Sequence, residues 1–317
     1  MVERARLRLV FCGTPQFAVP TLEALVAAGH EIALVVTQPD RPVGRKQVLT
    51  APPVKERALA AGLAVTQPEK IKNNLEFRAE LERIQPDAIV VVAYGRIIPR
   101  WMLDLPRLGC INLHGSLLPK YRGAAPIQWA VANGDPVTGN TTMLLEEGLD
   151  TGPMLLQEQL EIAPEWTAVD VFERLAAGGA PLVVRTLDGL ADGTLKPEAQ
   201  EHGQATLARI LTREDGRMEF GSRTATELWH RWRGFQPWPG AFALLDGKKL
   251  AVARMRMADF TGAGEPGELK VTGGRLLVAC AGGSWLELTE VQPEGKKAMP
   301  AQEFLRGNAL KAGARLA

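Results

Sequence analysis

The chain has 317 residues, 46% hydrophobic and 23% charged, with a formal net charge of +1. Its length exceeds the usual size of one domain, so two are expected, each able to bury a core. No apolar run reaches the roughly 18 to 20 residues of a membrane helix, and the first residues lack a signal-peptide core, so a cytoplasmic protein without membrane association is expected.

Residues 7–12 form an apolar run ending at Gly13-Thr14-Pro15, which reads as a buried strand, and residues 17–28 follow with helical periodicity up to Gly29. Residues 31–37 read as the next strand, and 53–61 and 74–84 as helices. The run 87–94 is almost wholly apolar, as expected of a strand covered on both faces of a parallel sheet. A strand over 109–114, a short helix over 125–133 and a strand over 141–146 come next. Thr167 and Asp170 resemble a capping box opening a helix to about residue 191. Strands alternating with helices imply a doubly wound α/β sheet, Rossmann-like, whose ligands bind beyond the carboxyl ends of the strands.

Residues 192–208 are polar, contain Pro197 and show no periodicity, so they read as a linker between a domain over 1–191 and another over 209–317. In the second, a helix over 224–235 precedes short β-type runs at 241–245, 249–257, 267–272, 275–281 and 284–291, and a helix over 300–306 follows. Turns such as Asp246-Gly247 and Gly273-Gly274 separate the runs, the pattern of a small antiparallel β-barrel, OB-like in class. Residues 1–208 carry a net charge of −4 and residues 209–317 a net of +5, which suggests a polyanionic partner for the second half.

The chemistry concentrates in Cys110-Ile-Asn-Leu-His-Gly-Ser-Leu-Leu-Pro-Lys-Tyr-Arg-Gly123. Residues i and i+2 of a strand share a face, so Asn112 and His114 can address one common atom. Asp150, in the Gly-bounded loop after the strand over 141–146, is the candidate carboxylate partner. An amide donor and a cationic imidazole aimed at one carbonyl oxygen would stabilise a tetrahedral oxyanion, and a carboxylate would hold the imidazole in place. With an amine as acceptor, no serine or cysteine nucleophile is needed. Cys12, Cys110 and Cys280 are odd in number and far apart, giving neither a disulfide framework nor zinc spacing. No Gly-x-Gly-x-x-Gly follows the first strand, where Gly13-Thr14-Pro15 stands instead, and no Walker A, His-Glu-x-x-His or Cys-x-x-Cys motif is present, so neither a dinucleotide, an NTP nor a metal is implied.

Asn112-Leu-His114-Gly-Ser-Leu-Leu-Pro119 with Tyr121-Arg-Gly123, and Asp150 in Leu149-Asp-Thr-Gly152, resemble the active-site signature of the 10-formyltetrahydrofolate-dependent formyltransferases. Phe11-Cys-Gly-Thr-Pro-Gln-Phe17, Gln38-Pro-Asp-Arg-Pro42, Gln236-Pro-Trp-Pro-Gly240 and Gly295-Lys-Lys-Ala-Met299 are also similar to that family. The two-domain length narrows the resemblance to members acting on initiator methionyl-tRNA. It implies formyl transfer from 10-formyltetrahydrofolate to the methionine α-amino group, in support of translation initiation. Asn112, His114 and Asp150 would be the catalytic set, and Ser116, Leu117, Leu118 and Pro119 would line the folate pocket. The second domain would bind tRNA, and a monomer is expected. A 4-amino-sugar nucleotide is the alternative acceptor, since enzymes of that kind carry a similar second domain.

The connection over 38–53 is longer than the typical 2 to 6 residues and carries Arg41, Arg45 and Lys46, with Lys55 just after it, against Asp40 alone. By the resemblance it engages the tRNA acceptor end through Arg41, Arg45 and Lys46. In 229–238, aromatic and basic residues interleave. Trp229, Trp232 and Phe235 are expected in the core at three-residue spacing, with Arg231 and Arg233 turned to solvent as phosphate contacts. Lys248, Lys249, Lys296 and Lys297 are similar candidates from the barrel loops.

Overall fold

A computed structural model describes residues 6–44, 46–308, 310–311 and 313–317. The chain forms two compact units. One comprises the chain up to Pro126 with Val137–Glu161 and Val171–Arg209, the other Ile127–Pro136, Ile162–Asp170 and Ile210–Ala317. The division is thus not one cut between consecutive stretches. Residues 192–208, expected as a linker, fold as part of the first unit: Met154 and Glu198 exchange backbone hydrogen bonds of 2.7 and 2.8 Å, and Arg122 N–H donates to Thr206 O at 2.9 Å. Such pairing uses only main-chain groups, which composition does not reveal.

In chain order the first half carries β1 (Arg8–Gly13), α1 (Val19–Ala27), β2 (Glu31–Val36), β3 (Arg41–Val43), β4 (Val48–Thr50), α2 (Pro53–Ala60), β5 (Val65–Thr66) and α3 (Leu75–Ile84). Then come β6 (Ala88–Val92), α4 (Arg100–Leu103), β7 (Cys110–His114), β8 (Arg122–Gly123), α5 (Pro126–Ala132), β9 (Val137–Leu144), β10 (Met154–Glu161), α6 (Ala168–Ala191) and β11 (Leu207–Ala208). Seven strands make one sheet in the order β10-β9-β7-β6-β1-β2-β5. The pairs from β7 to β5 are parallel, while β9 runs antiparallel to β7 and β10 to β9. All five residues of β6 are buried, as its unbroken apolar run requires. The order reverses direction at β1, and the loops after β1, β2 and β6 interlock there: Thr14 Oγ1 donates to Tyr94 O at 3.2 Å and Gln38 Nε2 to the same oxygen at 3.1 Å.

Helix α6 explains how β7 is held from behind. Asn140 on β9 donates its amide to Leu175 O at 2.8 Å, and Thr142 and Thr186 share a hydroxyl contact of 2.8 Å. Close approach depends on glycine: a Cβ added to Gly179 would lie 2.5 Å from Leu113 Cδ2, inside van der Waals contact. Leu113 is the residue between Asn112 and His114. The helix therefore packs directly on the strand that carries both side chains.

The second half carries α7 (Ala225–Gly234), β12 (Phe242–Leu245), β13 (Lys248–Met257), β14 (Leu269–Thr272), β15 (Arg275–Ala279), β16 (Trp285–Pro293), β17 (Met299–Pro300) and α8 (Ala301–Gly307). The Thr224 hydroxyl and Glu227 carboxylate form a capping box at the start of α7. The antiparallel sheet runs β12-β13-β16-β15-β14, with β17 beside β16. Its two edges are bridged by the end of the chain, where Leu316 pairs with Leu245 and Arg315 with Glu268. That pairing curls the sheet into a small barrel and covers edges that would otherwise template association. Arg233 is corrected here: it is only 3% exposed, and its guanidinium donates to Ala163 O at 3.3 Å and Trp166 O at 2.8 Å. Arg231 is half-buried, donating to Asp215 O at 3.0 Å and lying over the Phe235 ring. Trp229 and Trp232 stack with centroids 5.1 Å apart, packed against the core, and Phe235 is buried. Among the described residues no helix is long and apolar enough to cross a membrane.

Candidate active site

Strand β7 delivers Asn112 and His114 at its carboxyl end, and the loop after β9 delivers Asp150. Pairing of β7 with β9 sets the register, with Asn112 opposite Met143 and His114 opposite Thr141. His114 Nδ1 lies 3.7 Å from Asp150 Oδ2, and their side chains are 7% and 15% exposed. The three residues come from the strand ends that the sequence indicated.

His114 Nε2 sits 2.9 Å from the Tyr121 carbonyl oxygen, an acceptor only, so Nε2 carries a proton. Nδ1 faces a carboxylate too far away for a hydrogen bond. Both ring nitrogens thus face acceptors, and the Nδ1 edge is the one left to meet a substrate oxygen. Asn112 is half-buried and its amide has no hydrogen-bond partner among the described residues, so it too is uncommitted. Asp150 Oδ2 accepts from Gly123 N–H at 2.8 Å, which ties the carboxylate to the end of the signature. Asp150 also has φ of 50°, a left-handed backbone that side chains with a Cβ adopt at a cost.

The run 116–119 is fixed from several sides. Ser116 Oγ donates to Lys120 O at 2.6 Å, Thr141 Oγ1 donates to Ser116 O at 2.7 Å, and Leu118 N–H donates to Thr141 Oγ1 at 3.1 Å. Gln157 on β10 donates to Leu118 O and to Thr141 Oγ1, each at 2.9 Å. Ser116 and Leu118 are buried, while Leu117 and Pro119 keep partial exposure. The sequence does not announce Gln157 as a support of this run, because β10 lacks the apolar alternation of a half-buried strand.

No thiol competes for the chemistry. Burial pushes the Cys110 thiol up to about 12 and the Cys12 thiol well above its usual value, so neither forms a thiolate near neutral pH. Among the described residues, no three or more His, Cys, Asp or Glu side chains are placed to hold a metal ion.

The long connection after β2 is a two-stranded hairpin rather than an irregular loop, with Arg41 paired to Thr50 and Val43 to Val48. Arg41 and Lys46 are exposed and make no ion pair among the described residues, whereas Arg45 lies outside the described residues. Lys55 does not join them. Its ammonium binds both Asp40 oxygens at 2.9 and 2.8 Å, and Gln67 adds a bond of 2.8 Å, so the Asp40 carboxyl is held below its usual range.

Comparison with known proteins gives this geometry its context. The model of the formyl transferase family matches residues 6–187, and that of the formyl transferase C-terminal domain matches residues 210–309. The methionyl-tRNA formyltransferase of Acidobacterium capsulatum is 66% identical over 310 residues, covering 98% of this chain and 99% of the relative. That of Koribacter versatilis is 58% identical, covering 94% and 95%. A solved N-formyltransferase from Helicobacter canadensis, in complex with folinic acid and dTDP-3-aminofucose, superposes with a TM-score of 0.67 at 17% identity, covering 90% of this chain and 99% of that one. The last likeness speaks for the fold alone. The chain belongs to the formyltransferase family, in the branch of the methionyl-tRNA formyltransferases.

Proposed function

We propose that the chain transfers the formyl group of 10-formyltetrahydrofolate to the α-amino group of methionine on initiator methionyl-tRNA, acting as a monomer in the cytoplasm. The observation that carries the reading is the uncommitted Asn112 amide, two residues along β7 from a His114 ring edge backed by Asp150, in a chain whose full-length relatives bear the name of that reaction.

The amine nitrogen attacks the formyl carbon, forming the new C–N bond, and the carbonyl electron pair moves onto oxygen. Asn112 N–H and His114 Nδ1–H hold that oxyanion, a role in which one donor is worth about 10² to 10³ in rate. Asp150 keeps the imidazole oriented. Collapse of the intermediate breaks the bond to N10, which leaves with a proton, while the attacking nitrogen loses one. Residues 116–119 form the floor for the folate, and the polar bonds fixing them supply the preorganisation that such a step rewards. Arg41 and Lys46 on the hairpin, with Arg45 between them in the sequence, meet tRNA phosphates, and the basic second half adds a sequence-independent share of the affinity.

The 4-amino-sugar nucleotide alternative shares the donor and the transfer step but not the need for a basic hairpin. Purified protein offered both acceptors with 10-formyltetrahydrofolate is expected to formylate methionyl-tRNA alone. Formylation of the amino-sugar nucleotide with methionyl-tRNA untouched would overturn the assignment.

A further inference from the structure

Residues 192–208 bring Gln200 into the first unit, where it is 5% exposed and its amide is fully engaged. Its Nε2 donates to the carbonyl oxygens of Asp150 at 2.9 Å and Gly152 at 2.7 Å. Its Oε1 accepts from Arg122 Nε at 3.0 Å and Nη2 at 2.7 Å. A guanidinium only donates, so Arg122 dictates which way the amide faces: Oε1 towards itself, Nε2 towards the two carbonyls. Arg122 is in turn buried, at 6% exposure, and its Nη2 also reaches His202 Nδ1 at 3.1 Å. Gln200 thus grips the chain on both sides of Thr151.

That grip falls where the backbone needs one. Asp150 holds φ of 50°, and a non-glycine residue stays there only when its surroundings over-determine it. The carboxylate is fixed separately by Gly123 N–H, from the residue after Arg122. Backbone and side chain of Asp150 are therefore both referred to the same pair of residues, 122 and 123, the first through Gln200 and the second directly.

We propose that Gln200 is a positioning residue for formyl transfer, holding Asp150 in its left-handed conformation so that the carboxylate stays opposite His114. The inference rests on the reading of Asp150 as part of the transfer site. Gln200 touches no reacting atom and acts only through the loop it clamps.

A double-mutant cycle in the full chain tests it, with single-turnover transfer from 10-formyltetrahydrofolate to methionyl-tRNA as the readout. Gln200→Met is expected to slow transfer about 10- to 100-fold, the effect of a small misplacement, with KM for both substrates within about threefold. Placed on Asp150→Asn it is expected to slow transfer no further, because the group it positions is already disabled. Should Gln200→Met not fold, Gln200→Glu keeps the Arg122 contact while removing both donors, and the same pattern is expected. A Gln200 variant at the wild-type rate beside a crippled Asp150→Asn, or two rate reductions that multiply, overturns the role of Gln200 alone. Asp150→Asn as fast as wild type overturns the reading beneath it as well.

Discussion

The rim at the end of β7 and the hairpin β3–β4 belong to the same unit and follow the same kind of strand end, yet they are built in opposite ways. At the rim, His114, Ser116, Leu118 and Arg122 are buried and side-chain hydrogen bonds reach the segment from β9, β10 and residue 200. On the hairpin, every described residue from 41 to 50 is exposed, including Val43, Val48 and Leu49 at 55%, 59% and 67%. Only its base is anchored, by the Asp40, Lys55 and Gln67 contacts. Catalytic groups must be held to fractions of an ångström, which burial and bonding achieve, whereas a surface that meets a large polyanion must stand clear of the fold.

Substitutions on the two sides should separate accordingly. On the rim, Asn112→Ala is expected to lower kcat for transfer about 100- to 1,000-fold while leaving KM for methionyl-tRNA nearly unchanged, since it removes the proposed oxyanion donor. A comparable rise in KM with kcat intact would place Asn112 in ground-state binding instead. On the hairpin, Arg41→Glu combined with Lys46→Glu should do the reverse, raising KM for tRNA about tenfold. The slope of log affinity against log salt should become shallower by about one unit for each phosphate these side chains no longer neutralise. The melting temperature of the double variant should not move, because neither side chain is buried.

Behind the rim, Gly179→Ala pits helix propensity against packing. Alanine favours the helix by about 1 kcal/mol, but overpacking against Leu113 costs about 1 to 3 kcal/mol. A net loss of up to about 2 kcal/mol is expected in urea denaturation, with reduced transfer activity because Leu113 lies between Asn112 and His114. A stabilised, fully active variant would show that β7 tolerates displacement.

The smallest effect concerns the barrel. Burial, the largest single influence on Glu287, disfavours its ionised form, but hydrogen bonds and charge from Arg256 and Arg275 outweigh it and hold the carboxyl below its usual range. A carboxyl with a depressed folded-state pKa contributes stability that is present above its unfolded value, near 4.5, and lost as pH falls through the lower folded value. Glu287→Gln is expected to cost about 1 kcal/mol at neutral pH, part of the pair being solvent-screened, and to flatten the acid limb below pH 4.5. Transfer activity should be unchanged.

How much of this can be read from the sequence follows the range of the interactions involved. Asn112 and His114 are legible because strand alternation is local, and Asp150 because a Gly-bounded loop after a strand marks the same rim. Strand β10 is not: its outer half, Gln157 to Gln159, is exposed and polar, so no apolar alternation announces it. The hairpin is hidden by Pro42 and by a basic turn that reads as loop. Helix spacing turns Arg233 to solvent, but the carbonyls that receive it belong to residues 163 and 166, about seventy positions away. Gln200 lies in a stretch whose composition resembles a linker, and only the fold shows where its amide goes.

Single-turnover transfer of labelled formyl from 10-formyltetrahydrofolate to initiator methionyl-tRNA by wild-type and His114→Ala protein, with tRNA affinity measured on the same preparations, tests the central claim most directly. Loss of transfer by about 10³-fold or more with unchanged tRNA binding is the predicted result. A His114→Ala protein that transfers formyl at the wild-type rate would contradict it.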